Sequence, residues 1–183
     1  MNASNTRDRI LDSLQDILIR EGYSGVTLEA VAREASVSKG GLLYHFPSKA
    51  AMLSGLIERL SALAEEEFRE AVEGDEGVVR VFLRTSLPSS PEERELYWAV
   101  IAALRGQEDL PEEATRKVQY LFGRWGELLH EELADPVLAE VILRAGDGLY
   151  MSAIAGLPQP DPELTRRMID RLIEAADGAR RRG

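Results

Sequence analysis

The chain has 183 residues, 22 Lys/Arg against 32 Asp/Glu, a net charge of −10, two histidines and no cysteine. It is long enough for one hydrophobic core or two small ones, and it excludes a disulfide framework, a thiolate zinc centre and a cysteine nucleophile. The opening MNASNTRDRI has no apolar signal region and no apolar run approaches the ~18 residues of a membrane span, so the sequence predicts a cytoplasmic protein that does not enter a membrane.

Apolar periodicity predicts about nine helices and no strand, an all-α chain. The first helix runs from about Arg7 to Glu21, with Ile10, Leu14, Ile17 and Leu18 on its apolar face and Gly22 as its stop. Thr27 caps a short helix whose apolar positions are Leu28, Val31, Ala32 and Ala35. After the small turn Ala35-Ser36-Val37, Ser38 caps a second short helix, Lys39 to Tyr44, which Pro47 ends. Ser48 then caps a long helix that passes Phe68, with Leu53, Leu56, Ile57, Leu60 and Leu63 on one side, and Gly74-Asp75 breaks it. A fifth helix covers about Glu76 to Ser86, and the loop LPSSPEE leads to a helix ending near Leu104. Another starts at Pro111 and runs to about Leu133. The last two start at Asp135-Pro136 and Asp161-Pro162, where Asp caps and Pro fills the first turn; GLPQPDP links them. The terminal ARRRG reads as a frayed, solvated tail.

Residues 26–49, VTLEAVAREASVSKGGLLYHFPSK, carry the functional signal. Two short helices joined by a three- or four-residue turn form a helix-turn-helix, whose second helix enters the DNA major groove N-terminus first. The composition of that second helix is odd for a purely structural one. Gly40 and Gly41 stand where Ala would be better by about 1 kcal/mol each, and glycine permits close approach to DNA. Lys39 supplies charge, and Tyr44 and His45 supply donors. Lys49 is a cation in the first turn of the next helix, against the helix dipole, which points to an outside partner such as phosphate. The plain alternative is that the glycines ease a tight corner and both lysines are merely solvated. Charge is unevenly placed: residues 1–50 hold six Lys/Arg and six Asp/Glu, and residues 51–183 hold 16 and 26, the whole of the −10. An acidic body lying beyond a Debye length of roughly 8 Å need not oppose binding.

The segment resembles the DNA-binding domain of the TetR family of bacterial regulators. Thr27, Val31-Ala32, Ala35, Val37-Ser38, Gly40, Leu42, His45-Phe46 and Lys49 carry the resemblance, which spans roughly residues 7–60. Two positions depart from the pattern. Ser36 stands where the family usually has Gly, and Leu43 where it often has a phosphate-binding Tyr, with Tyr44 adjacent. The resemblance implies a DNA-binding domain at 1–47 and an effector-binding and dimerisation domain at 48–183, with Thr27, Ser38, Lys39, Gly40, Gly41, Leu42, Tyr44, His45 and Lys49 at the DNA. Its partners would be an inverted-repeat operator in double-stranded DNA, a second copy of the chain and a small-molecule effector, in a bacterial cytoplasm and without a cofactor. Ligand binding would move the long helix that starts at Ser48 and release a repressor from its operator.

The body supplies candidates for those roles. Its aromatics concentrate between residues 80 and 150, and with nearby polar groups they nominate Phe82, Trp98, Arg105, Phe122, Trp125, Arg144 and Tyr150 as pocket residues, with Gln107 and Gln119 as further polar groups. The same spacing also suits an ordinary core. The last two helices carry Leu138, Val141, Ile142, Ala145 and Leu149, and Met168 and Leu172, beside small residues that allow close helix approach. They can pack against a copy of themselves or within one chain; the resemblance favours a homodimer, whose twofold symmetry would place two recognition helices about 34 Å apart or at a longer repeat of the groove. An enzyme finds few tools: His45 and His130 are the only histidines, and HExxH, P-loop, GxGxxG and GxSxG are absent, as is a metal site. The remaining alternative is a helical small-molecule-binding or adaptor protein without DNA binding.

Overall fold

The computed structural model describes residues 3–106 and 112–181, with side chains described for residues 6–102 and 112–181. Among these there are nine α-helices and no strand. They are α1 (Ala3–Gly25), α2 (Leu28–Glu34), α3 (Lys39–His45), α4 (Lys49–Glu73), α5 (Val78–Thr85), α6 (Pro91–Gly106), α7 (Glu112–Glu132), α8 (Pro136–Ile154) and α9 (Pro162–Arg180). None of them is long and apolar enough to cross a membrane. Two compact units are formed, one from Met1–Ser61 with Pro91–Val118, the other from Ala62–Ser90 with Gln119–Gly183. α4 and α7 each contribute to both.

The first unit is built around α1. Ile10, Leu11, Leu14, Ile17 and Leu18 are all buried on one face of it, against Val31 of α2, Leu42 of α3, and Met52, Leu53, Leu56 and Ile57 of α4. Leu96, Ala99 and Val100 of α6 complete this core. Gly22 adopts φ +68° and interrupts the regular helix, so the predicted stop is real although a last turn follows it. α1 begins at Ala3, ahead of the expected Arg7.

The second unit packs Phe68 and Ala71 of α4, Val78, Val79, Val81, Phe82 and Leu83 of α5, Leu128, Leu129 and Leu133 at the end of α7, Ala139, Ile142 and Leu143 of α8, and Ala176 of α9. α5 and α8 approach closely because Gly146 has no side chain: a Cβ there would lie 2.4 Å from the Phe82 ring and 2.6 Å from Ser86 Oγ. α5 has no side-chain cap of its own, since Gly77, at φ +84°, occupies its N-cap. The carboxylate of Glu132 fills that role from the end of α7, accepting from Val78 N at 2.6 Å and Val79 N at 3.3 Å. Arg180 of α9 pairs with the same carboxylate and with Asp177, and Asp177 takes both Nη1 and Nη2 of Arg80, at 3.3 and 2.6 Å. Arg180 is therefore an ordered part of α9, which corrects the reading of that stretch of ARRRG as a frayed tail. Leu63 is a second correction. It is 57% exposed: the buried stripe of α4 passes from Leu56 and Leu60 to Phe68 and Ala71 and leaves Leu63 out.

Candidate nucleic-acid interface

Local chemistry sets the helix-turn-helix. Thr27 Oγ1 accepts from Ala30 N at 3.0 Å, and Ser38 Oγ accepts from Gly41 N at 3.0 Å, so both predicted caps are made. The turn between them runs through Ser36 at φ +51°, the only non-glycine residue with positive φ among the described residues. Ser36 N donates to Arg33 O and Val37 N to Ala32 O, which satisfies the carbonyls at the end of α2. From α1, Arg9 Nη2 donates to Ala35 O at 2.9 Å and ties the turn to the unit's core helix. The next corner is fixed by Phe46, which is buried with the Arg7 guanidinium 5.3 Å above its ring centroid. Gly55 makes room for that stack, since a Cβ there would meet Phe46 Cε1 at 2.6 Å. Ser48 Oγ accepts from Ala51 N at 3.0 Å and starts α4 as expected.

On this frame α3 has one buried and one open face. Leu42 is fully buried and anchors the helix in the core. Its nomination as a DNA contact is corrected by that burial: the side chain cannot touch a base without leaving the interior. Tyr44 lies on the open side and is 83% exposed, more than any other large hydrophobic residue among those described. Its ring meets that of the half-buried His45 edge-on, at 5.2 Å between centroids. Gly40 is exposed and a Cβ there would meet nothing, so the helix surface is open at that point. At Gly41 a Cβ would come within 3.2 Å of the capping Ser38 Oγ, so this glycine serves the cap. Thr27 and Ser38 are exposed and commit their hydroxyl oxygens to their caps, which leaves their O–H groups able to donate outward.

The two lysines differ. Lys39 Nζ pairs with Glu29 Oε1 at 2.7 Å on the surface, and the hydrogen bond it gives holds the Glu29 carboxyl below the usual carboxylate range. Lys49 Nζ stands 3.6 Å from the centroid of the Tyr23 ring and donates to Tyr23 O at 3.0 Å. Partial burial lowers its pKa. The cation in the first turn of α4 thus has an internal partner, and phosphate is not needed to explain its position. Tyr23, Arg9 and Glu29 are missed by the sequence reading. Each acts on residues ten or twenty-six positions away, which local patterns do not reveal.

The body residues fall into several places. Trp125 of α7, half-buried, sits between Phe68, at 4.9 Å, and the buried Phe82, at 5.3 Å, and these rings pack on the core of the second unit. Trp98 belongs to the first unit, on the exposed side of α6, so the two tryptophans do not share a compact unit. Phe122 is exposed and meets the half-buried Tyr150 edge-on at 6.4 Å. Arg144 lies on the surface of α8, paired with Glu140 and Asp147, and Gln119 is exposed. The side chain of Arg105 and residue Gln107 lie outside the described residues. Of the nominated dimer residues, Ile142 is buried in the core of its own unit and Leu149 is buried as well, a correction: neither side chain is offered on the described surface. Leu138, Ala145, Met168 and Leu172 are half-buried, and Val141 is exposed. The outward apolar surface of α8 is instead Val137, 71% exposed, with Val141 and Met151, and Leu164 is exposed on α9.

Comparison with known proteins decides the lineage. Residues 10–56 match the bacterial regulatory proteins of the tetR family, and residues 76–177 match the tetracyclin repressor-like C-terminal domain. The chain belongs to the TetR family. This is a family of regulatory proteins and not of enzymes. The HTH-type transcriptional regulator UidR of Escherichia coli (strain K12) is 33% identical over 72 residues, which cover 39% of this chain and 37% of UidR. The chain therefore aligns with well under two thirds of that relative. A solved structure of a putative transcriptional regulator from Pseudomonas aeruginosa PAO1 has a TM-score of 0.74 at 17% identity, covering 100% of this chain and 95% of that one. Another, from Saccharomonospora viridis in complex with choline, has a TM-score of 0.73 at 22% identity, covering 93% and 96%. At these identities the structural likeness establishes the shared fold.

Proposed function

We propose that the protein is a homodimeric transcriptional repressor that leaves a near-palindromic operator when a small molecule binds its body. Residues 1–47 read DNA and residues 48–183 hold the effector and the second copy. The observation that carries this reading is the open face of α3, where Tyr44 stands 83% exposed on a helix pinned from behind by Leu42. An open face carrying an exposed ring, an exposed lysine and a bare glycine, on the second helix of a helix-turn-helix, suits entry into the major groove. Lys39, Gly40, Tyr44 and His45 face the groove, Thr27 and Ser38 contact the flanking phosphates, and Lys49 positions the start of α4 through Tyr23. Few of these side chains carry strong base-edge donors, so shape and backbone contacts supply much of the specificity. The outward apolar residues Val137, Val141 and Met151 of α8 and Leu164 of α9 meet the second copy. The effector binds among the helices of the body, near Phe122 and Tyr150, and its coupling to α4 is worth 1–3 kcal/mol, a loss of roughly 5- to 150-fold in operator affinity. The protein works in the bacterial cytoplasm.

Capture of fragmented genomic DNA by the purified protein tests the reading. Enriched fragments share an inverted repeat, and Tyr44→Ala, folded by circular dichroism, binds them about tenfold more weakly. A folded protein that enriches nothing at low salt would refute DNA binding and leave a ligand-binding protein in its place.

A further inference from the structure

Glu29 holds the only lysine of the recognition helix. Lys39 Nζ lies 2.7 Å from Glu29 Oε1, with both side chains more than half exposed. The pair joins the first turn of α2 to the first residue of α3. It contributes little to stability, because an exposed pair gains little over solvated charges. The angle between the helices is already set by the Ser38 cap, the Val37 N to Ala32 O bond and the buried Leu42. Glu29 also has another cation within reach. Arg33 lies four residues on, the Glu-before-Arg spacing that favours pairing along one helix. Arg33 is exposed, and its guanidinium has no hydrogen-bond or ion-pair partner among the described residues. The carboxylate crosses to α3 instead.

We propose that Glu29 is an internal counter-ion that masks Lys39 until a correctly seated DNA phosphate displaces it, so that the chain discriminates against non-operator DNA. The proposal rests on α3 being the helix that faces DNA. Nonspecific binding is made of contacts between cations and loosely placed phosphates. A duplex that has not seated α3 meets Arg33, but finds Lys39 already neutralised and the Glu29 charge beside it. A duplex that seats α3 brings a phosphate to Lys39, and the released Glu29 carboxylate turns to Arg33 four residues on, so that breaking the weak exposed pair costs the seated complex little. Glu29 therefore raises the ratio of specific to nonspecific affinity and lowers nonspecific affinity itself. The balance of six cations and six anions in residues 1–50 fits a reader that does not hold DNA by net charge.

Binding of a random-sequence duplex and of the enriched genomic fragments is measured by fluorescence anisotropy across a salt series. The proteins are wild type, Glu29→Gln, Lys39→Gln and the double variant, with melting curves to check that each is folded. Glu29→Gln binds the random duplex roughly two- to fivefold more tightly, with a log–log salt slope steeper by about 1. The gain is smaller on the enriched fragments, and disappears when Glu29→Gln is introduced into the Lys39→Gln background. Equal gains on both DNAs, or a gain that survives in the Lys39→Gln background, overturns the proposal. If the wild type binds and Glu29→Gln matches it, the counter-ion role alone fails. If the wild type binds neither DNA, the DNA-binding reading fails with it.

Discussion

The helix-turn-helix and the second unit use their residues in opposite ways. In residues 26–49 short-range bonds set nearly every corner: the Thr27 and Ser38 caps, the turn at Ser36, and the Ser48 cap of α4. Its apolar residues Val31, Ala32, Leu42 and Phe46 are buried in its own core, and only Tyr44 is left out. The second unit depends on contacts between residues far apart in sequence, Glu132 with the start of α5, Arg80 with Asp177, and Gly146 with Phe82, and it leaves Val137, Val141 and Leu164 in solvent. The first region is held by local geometry, the second by packing between distant residues.

The strongest break in that comparison is Gly146→Ala. Its Cβ would lie 2.4 Å from ring atoms of Phe82, and relief requires α5 and α8 to separate. Such overpacking costs about 1–3 kcal/mol or more, read as a lower midpoint in urea unfolding. A Gly40→Ala variant is the control, since a Cβ there meets nothing, and it should not be destabilised. An unfolding midpoint for Gly146→Ala equal to wild type would show that α5 and α8 are not locked together as described.

Glu132→Ala removes a cap that comes from another helix. Val78 N and Val79 N lose their acceptor and Arg180 loses a carboxylate, a loss of about 1–3 kcal/mol. Hydrogen exchange separates this from general weakening: the first amides of α5 should lose protection before those of α2, whose cap is its own Thr27. Protection falling evenly across both helices would contradict a local capping role. The smallest effect belongs to the turn. Ser36 bears a side chain at φ +51°, so Ser36→Gly relieves backbone strain and should raise stability by up to about 1 kcal/mol, seen as a higher melting temperature. A lower melting temperature would mean that the Ser36 side chain contributes more than the strain costs.

The helix order, the caps at Thr27, Ser38, Ser48, Asp135 and Asp161, and the stop at Gly22 are legible in the amino-acid sequence, because each depends on residues within one turn of one another. The open face of α3 was half legible. Its glycines and its Tyr44-His45 pair mark it, while the burial of Leu42 follows only from how α3 sits on α1 and α4. Sequence periodicity identifies Phe82, Trp125, Ile142 and Leu149 as apolar helix positions but cannot say which side of a helix meets the core and which meets solvent. Periodicity therefore nominates the buried Ile142 and Leu149 for an interface and passes over the exposed Val137 and Met151. Charge partners were hidden for the same reason. Whether Lys39 finds Glu29, Lys49 finds Tyr23 or Arg180 finds Glu132 is decided by helices that come together only when the chain is folded, at sequence separations over which composition carries no information.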